Sequence, residues 1–292
     1  MNLKNQEMHK TIVFILAALM VWSCGTGNRV QEKPVVLVSI LPQKYFVEKI
    51  AGEDFTVSVL IPHGANPTTY TLLPAQMAEI SKAEVWFRMG HVGFELSWGN
   101  RITEANPAMS VADLSEGLDL VQAAPGNRSG RGTGTDPHTW MSPTNVRQMA
   151  GRILEELVRI HPRKKEVYTA RYQEFLEEIS RTDAAVREIL KASQGKKVIT
   201  FHPSLTYFAR DYGLVQLSVE EGGKEPTPAH MAWLAETAQN EGIRVIYIQS
   251  EFDMELAAVF AREIDGKVIQ IWPLNPAWSE NLVSIARQIS EN

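Results

Sequence analysis

The chain has 292 residues, 44% of them hydrophobic and 22% charged, which is enough apolar material for a buried core and too long for a minimal module. With 29 Lys and Arg against 34 Asp and Glu it carries a formal charge of −5, and its longest basic run is Arg163-Lys164-Lys165, so nucleic acid is excluded as a partner. One cysteine excludes a disulfide framework and a cysteine-built zinc site.

In chain order, Lys4 and Lys10 precede an apolar run over 11–22, and Ser23-Cys24-Gly25 follows. A basic start, a short apolar stretch and small residues make a secretory signal over 1–23, too short to cross a hydrocarbon core of ~30 Å as a helix. Val21-Trp22-Ser23-Cys24 resembles the lipobox of bacterial lipoproteins. That resemblance implies lipidation of Cys24 and a cell-envelope location, anchored to the membrane and facing the periplasm or the exterior. Residues 24–34 then form a flexible tether.

Beyond the tether, the pattern predicts strands at 35–39, 57–61 and 85–89, with helices opening at Pro42 and over 74–82. Short apolar runs alternating with helical periods indicate an α/β unit with a mainly parallel sheet. The Gly-, Ser-, Arg- and Thr-rich stretch 123–135 reads as a loop. No proline occurs between Pro162 and Pro203, and Tyr168, Tyr172, Phe175, Ile179, Val186 and Leu190 form one apolar stripe. This predicts a single helix of roughly 30 residues, about 45 Å long. Strands at 198–201, 215–219, 244–249 and 268–271 alternate with helices at 204–212, 229–240, 254–264 and 280–289. The expected architecture is two α/β lobes, 35–162 and 196–292, joined by a rigid helix over 163–195. Sheets of this kind take ligands at the carboxyl ends of their strands, here in a cleft between the lobes.

Among the seven histidines, two stand where a cleft ligand belongs. His138 ends the glycine-rich loop, and His202 directly follows a second-lobe strand. Each taken singly also fits a hydrogen-bonded structural histidine; taken together, at element ends in the two halves, they suit a shared metal ion.

Asp136-Pro137-His138-Thr139-Trp140 with Ser142-Pro143 resembles the Asp-Pro-His-x-Trp motif of the zinc/manganese substrate-binding proteins of ABC transporters. Pro62-His63-Gly64-Ala65-Asn66-Pro67-Thr68-Thr69-Tyr70 is similar to that family's first-lobe segment, Thr200-Phe201-His202 to its second-lobe histidine motif, and Glu225-Pro226-Thr227-Pro228 to its Glu-Pro-Ser block. The likeness runs from Val35 to the C-terminus. It implies a lipid-anchored, monomeric receptor that binds a divalent ion between its lobes and passes it to a membrane permease. The expected cargo is Zn²⁺, with Mn²⁺ or Fe²⁺ favoured as carboxylate oxygens are added.

The sequence also departs from that pattern. Thr68 stands where the family has its first histidine ligand, Trp272 where many members have an aspartate, and Gln249 where a strand-end motif has a glutamate. Of the expected ligands, His138 and His202 remain. Two neutral imidazoles leave a divalent charge unbalanced, and Glu221, after a second-lobe strand end and before Gly222-Gly223, is the expected carboxylate; Glu220 should face elsewhere by strand alternation. His63, His91, Glu95 and Glu251 are further candidates. A surface adhesin whose metal site has decayed stays open beside the receptor. A metal-dependent enzyme is disfavoured, because the chain has no His-Glu-x-x-His, Gly-x-Ser-x-Gly or Walker motif.

Overall fold

The computed structural model describes residues 33–122, 134–220 and 225–292. The expected leader, Cys24, almost all of the expected tether, most of the glycine-rich stretch and Glu221 lie outside them. Among the described residues, no helix is long and apolar enough to cross a membrane.

The first lobe is built on β1 (Val35–Val38), β2 (Thr56–Val59), β3 (Ala83–Arg88) and β4 (Ser110–Asp113), with α1 (Leu41–Ala51), α2 (Pro74–Lys82) and α3 (Gly93–Ala105) between them. The strands are all parallel in the order β2-β1-β3-β4. Every residue of β1 is buried, as a central strand covered on both faces requires. The second lobe repeats the order. Its strands β5 (Lys197–Thr200), β6 (Val215–Ser218), β7 (Val245–Gln249) and β8 (Lys267–Ile271) run parallel as β6-β5-β7-β8. Its helices are α6 (Thr206–Tyr212), α7 (Pro228–Asn240), α8 (Met254–Glu263) and α9 (Trp278–Glu291). In each sheet the chain leaves its first strand for one neighbour and then crosses to the other side. The resulting switch points, between β1 and β3 and between β5 and β7, are where such sheets open a crevice.

Between the lobes run α4 (Pro143–Ile160) and α5 (Lys165–Ile189). The expected 30-residue rod is shorter: α5 has 25 residues, about 37 Å, flanked by 3₁₀ turns at Pro162–Lys164 and Lys191–Ser193. The chain turns out of the helix at Gly195, whose φ of +76° and N–H to the Gly213 carbonyl direct it into β5. Helix α4, together with α3 and β4, is absent from the sequence-based expectation. Its start is marked by Ser142, whose side-chain oxygen accepts the Asn145 N–H, followed by Pro143 at the first helical position.

The buried residues form one large core and one small one. In β5 and β7 the side chains alternate: Val198, Val245 and Tyr247 face inward, while Ile199, Ile246 and Ile248 face α7 and α8 with Leu234, Phe260 and Ile264. The inward set is continuous with the first sheet through α1, α4, α5 and α9. Trp278 lies at the joint. It is 1% exposed and meets Phe46 of α1 edge-to-face with centroids 5.4 Å apart. Its indole N–H donates to the Trp140 carbonyl at 2.7 Å, and the Trp140 indole donates to the Pro273 carbonyl at 2.9 Å. Trp278→Ala should therefore cost about 3–5 kcal/mol. Chemical denaturation is expected to show that loss, and a change under 1 kcal/mol would mean the joint carries little of the stability.

Candidate functional site

His202 follows β5 at the switch point of the second sheet. Its backbone is clamped by Gln249, at the end of β7 and 2% exposed. The Gln249 Oε1 accepts the His202 N–H at 3.3 Å, and its Nε2 donates to the His202 carbonyl at 2.6 Å and to Ser204 Oγ at 2.5 Å. An amide can accept and donate in this way, whereas an ionised glutamate only accepts. The position that departs from the family's glutamate is thus a positioning residue here.

The imidazole of His202 is held by Glu220, with Nδ1 2.7 Å from Oε2, and is stacked on Phe252 at 5.5 Å and 24°. Burial pushes the His202 pKa down, and the Glu220 hydrogen bond opposes it only in part. The sequence expectation that Glu220 faces away from the site does not hold; its carboxylate orients one of the two expected ligands. Strand β6 ends at Ser218, so the alternation that argued for Glu221 stops before either glutamate.

His138 lies just before the 3₁₀ turn Thr139–Met141. Asp136 folds back on it: Oδ1 accepts the His138 N–H at 2.9 Å and lies 3.0 Å from Nδ1. Thr206 donates its hydroxyl to Asp136 Oδ2 at 2.7 Å, and Tyr207 donates to the Asp136 carbonyl at 2.9 Å. Burial works to raise the Asp136 pKa, but the neighbouring His138 and the hydrogen bonds from His138 and Thr206 prevail and hold it below the usual carboxylate range. The rings of His138 and His202 meet edge-to-face, centroids 5.2 Å apart. Each has a carboxylate at Nδ1, which fixes the proton there and leaves Nε2 as the lone-pair donor. The sequence brought His138 and His202 forward but not Asp136, whose signal is its place two residues before the histidine, nor Phe252.

The other candidates stand apart from this pair. Thr68 donates its hydroxyl to Asn66 Oδ1 at 2.7 Å and lines a first-lobe recess of about 300 Å³ with Thr69, Ser97, Trp98 and Arg101. Trp272 and His63 meet edge-to-face, centroids 4.6 Å apart, and Ser250 donates to Glu251 at 2.9 Å. Glu95 is buried at the end of the first sheet, its two oxygens accepting the Met89 and Gly90 N–H groups at 2.7 Å each. Burial pushes its pKa up to about 7, and its hydrogen bonds make it a brace for the loop after β3 rather than a cleft ligand. His91 sits in that same loop. Among the described residues, no three His, Cys, Asp or Glu side chains are grouped closely enough to hold an ion.

This geometry predicts that Glu220→Gln loosens binding of a divalent ion about 10–100-fold, the usual cost of losing an orienting partner, where the sequence alone predicts a small effect. Because the folded pKa of His202 is lowered, its neutral form persists to more acidic pH than in a free histidine. The linked stability is complete above the unfolded value of about 6.5 and is lost as pH falls through the folded value. Calorimetric titration of both proteins between pH 5 and 8 checks the two expectations; an unchanged Glu220→Gln affinity would remove the carboxylate from the site.

The family model described as "Zinc-uptake complex component A periplasmic" matches residues 36–291. Among curated relatives, a putative metal-binding protein of Chlamydia muridarum is 27% identical over 281 residues, covering 94% of this chain and 99% of its own. The high-affinity zinc uptake system protein ZnuA of Bacillus subtilis is 25% identical over 277 residues, covering 87% and 85%. A crystal structure of ZnuA superposes with a TM-score of 0.82 at 35% identity, over 89% of this chain and 99% of that one. With its two parallel sheets and connecting helix, the chain belongs to the family of periplasmic zinc-uptake component A proteins.

Proposed function

We propose that this protein is the substrate-binding component of an ABC transporter, capturing a divalent cation, zinc foremost, between its lobes for import. The observation that carries this reading is the pair His138 and His202, in ring contact and each oriented through Nδ1 by a carboxylate. Imidazole donors suit zinc, and the zinc-uptake relatives agree; carboxylate oxygens would extend the range to Mn²⁺ or Fe²⁺. The ion is cargo and undergoes no reaction. Asp136 and Glu220 are already engaged with the imidazoles, so a further carboxylate, Glu221, completes the charge. Cys24 carries the lipid anchor that keeps the monomer beside its permease. Trp272, set where a charged ligand would stand, favours the second reading of an adhesin with a decayed site.

Metal content and thermal shift separate the two. The receptor reading expects near-stoichiometric zinc after purification without chelator, and a rise in melting temperature with added zinc. Ligand at 100 times its dissociation constant contributes about 2.7 kcal/mol to the native state. His138→Ala and His202→Ala should each abolish the rise, and Glu221→Gln should weaken binding about tenfold, about 1.4 kcal/mol. A full shift in both histidine variants would move the site elsewhere, and no metal in the native protein would favour the adhesin. Separately, Cys24→Ala should release the protein from membranes in its native host; unchanged partition would rule out the anchor.

A further inference from the structure

A second set of donors stands outside the His138–His202 pair. Backbone N–H groups of Leu60 and Ile61 bond to the Val38 and Ser39 carbonyls, extending the β2 ladder to the very end of the first sheet. The chain then turns: the Ala65 N–H bonds to the Pro62 carbonyl, with Gly64 at a φ of +79°. His63 is thus presented, exposed, at the tip of an anchored turn. It meets Trp272, the residue after β8, so the carboxyl ends of the two sheets come together here. The Trp272 carbonyl is itself pinned by the Asn281 side chain at 2.9 Å.

Glu251 lies on the same rim, two residues past the end of β7, where the Gln249–Ile271 pairing and the Ser250 N–H to the Ile271 carbonyl at 3.0 Å hold the chain alongside the end of β8, next to Trp272. Ser250 donates its hydroxyl to the Glu251 carboxylate at 2.9 Å. The next residue, Phe252, is the one stacked on His202. The path from the rim to the inner imidazoles is therefore one residue of chain and one aromatic face.

We infer that His63 and Glu251 form an entry station for divalent cations at the mouth of the cleft, which holds an ion transiently and passes it inward past Phe252. One imidazole and one carboxylate, with water completing the shell, make a weak site for zinc, which suits an ion that must leave again. A negative group at the mouth also raises the local cation concentration and the capture rate. The exposure of His63, against the buried His138 and the largely covered His202, favours a separate station over a place in the final coordination sphere.

The inference rests on the metal-capture reading, and kinetics tests it separately. The intact protein and its His63→Gln and Glu251→Gln variants are mixed with zinc chloride in a stopped-flow instrument, following tryptophan fluorescence, and dissociation is measured by a chelator chase. A station on the path speeds entry and exit alike. Both variants should therefore lower the association and dissociation rates together, by about tenfold, the lower end of the gain such local fields produce, while the dissociation constant stays within about twofold. A tenfold loosening of affinity with an unchanged association rate would overturn the station and make these residues final ligands. Unchanged rates would overturn it in favour of an ordinary surface turn. If Glu251→Gln fails to fold, the exposed His63→Gln decides alone. Absence of zinc binding by the unsubstituted protein would instead defeat the capture reading and this one with it.

Discussion

The interlock of Trp140 and Trp278 is what the remaining architecture depends on. Each indole N–H donates to a backbone carbonyl of a distant segment, Trp140 to Pro273 and Trp278 to Trp140. Buried indole N–H groups need such partners, and here the partners tie the segment carrying His138 to the start of α9 and the end of β8. Around this interlock the inward-facing apolar residues of both sheets merge into one core. The positions of His138 and His202 follow from that merger, because each lies on a segment whose backbone is anchored on the opposite side of the cleft or at a switch point.

Both imidazoles are treated in the same way by the fold. A carboxylate sits at Nδ1, and that carboxylate or its segment is fixed by groups from other elements: Thr206 and Tyr207 for Asp136, and the β5–β6 ladder leading to Glu220. Orienting a ligand through its remote nitrogen leaves the near one free of competing hydrogen bonds and raises its basicity. Charge balance is a different matter. Asp136 and Glu220 lend negative potential to the site while already spending oxygens on histidine, so a bare divalent ion calls for a further anion.

Most of the fold was legible because period-2 and period-3.6 patterns are strong where both faces of an element are constrained. The runs 35–39, 198–201 and 244–249 became β1, β5 and β7, the central strands of the two sheets. Helix α3 escaped notice because Gly93 and Gly99 weaken its pattern, and β4 because it is a short edge strand. For α4 the signal was present, in Ser142-Pro143 and the stripe Val146, Met149, Ala150, Ile153 and Leu157. At the site, motif spacing found the two histidines. The roles of Glu220 and Gln249 were not legible, since both depend on which strand ends become neighbours, a property of sheet order and not of local sequence. Thr68 stands at the family's first ligand position, but Asn66 captures its hydroxyl in a turn of its own.

The merged core has a thermodynamic consequence. Lobes with separate cores melt separately, and occupancy of a cleft then protects only the parts it touches. Here neither sheet can lose its inner face without exposing the helices shared with the other, so unfolding has to be cooperative across residues of both lobes. Any free energy gained by filling the cleft is therefore distributed to the whole molecule. Loaded and empty receptors should differ in their lifetime against proteolysis wherever cleavage needs the shared core to open, far from the cleft as well as beside it, so the state of loading is readable at sites that never touch the ion.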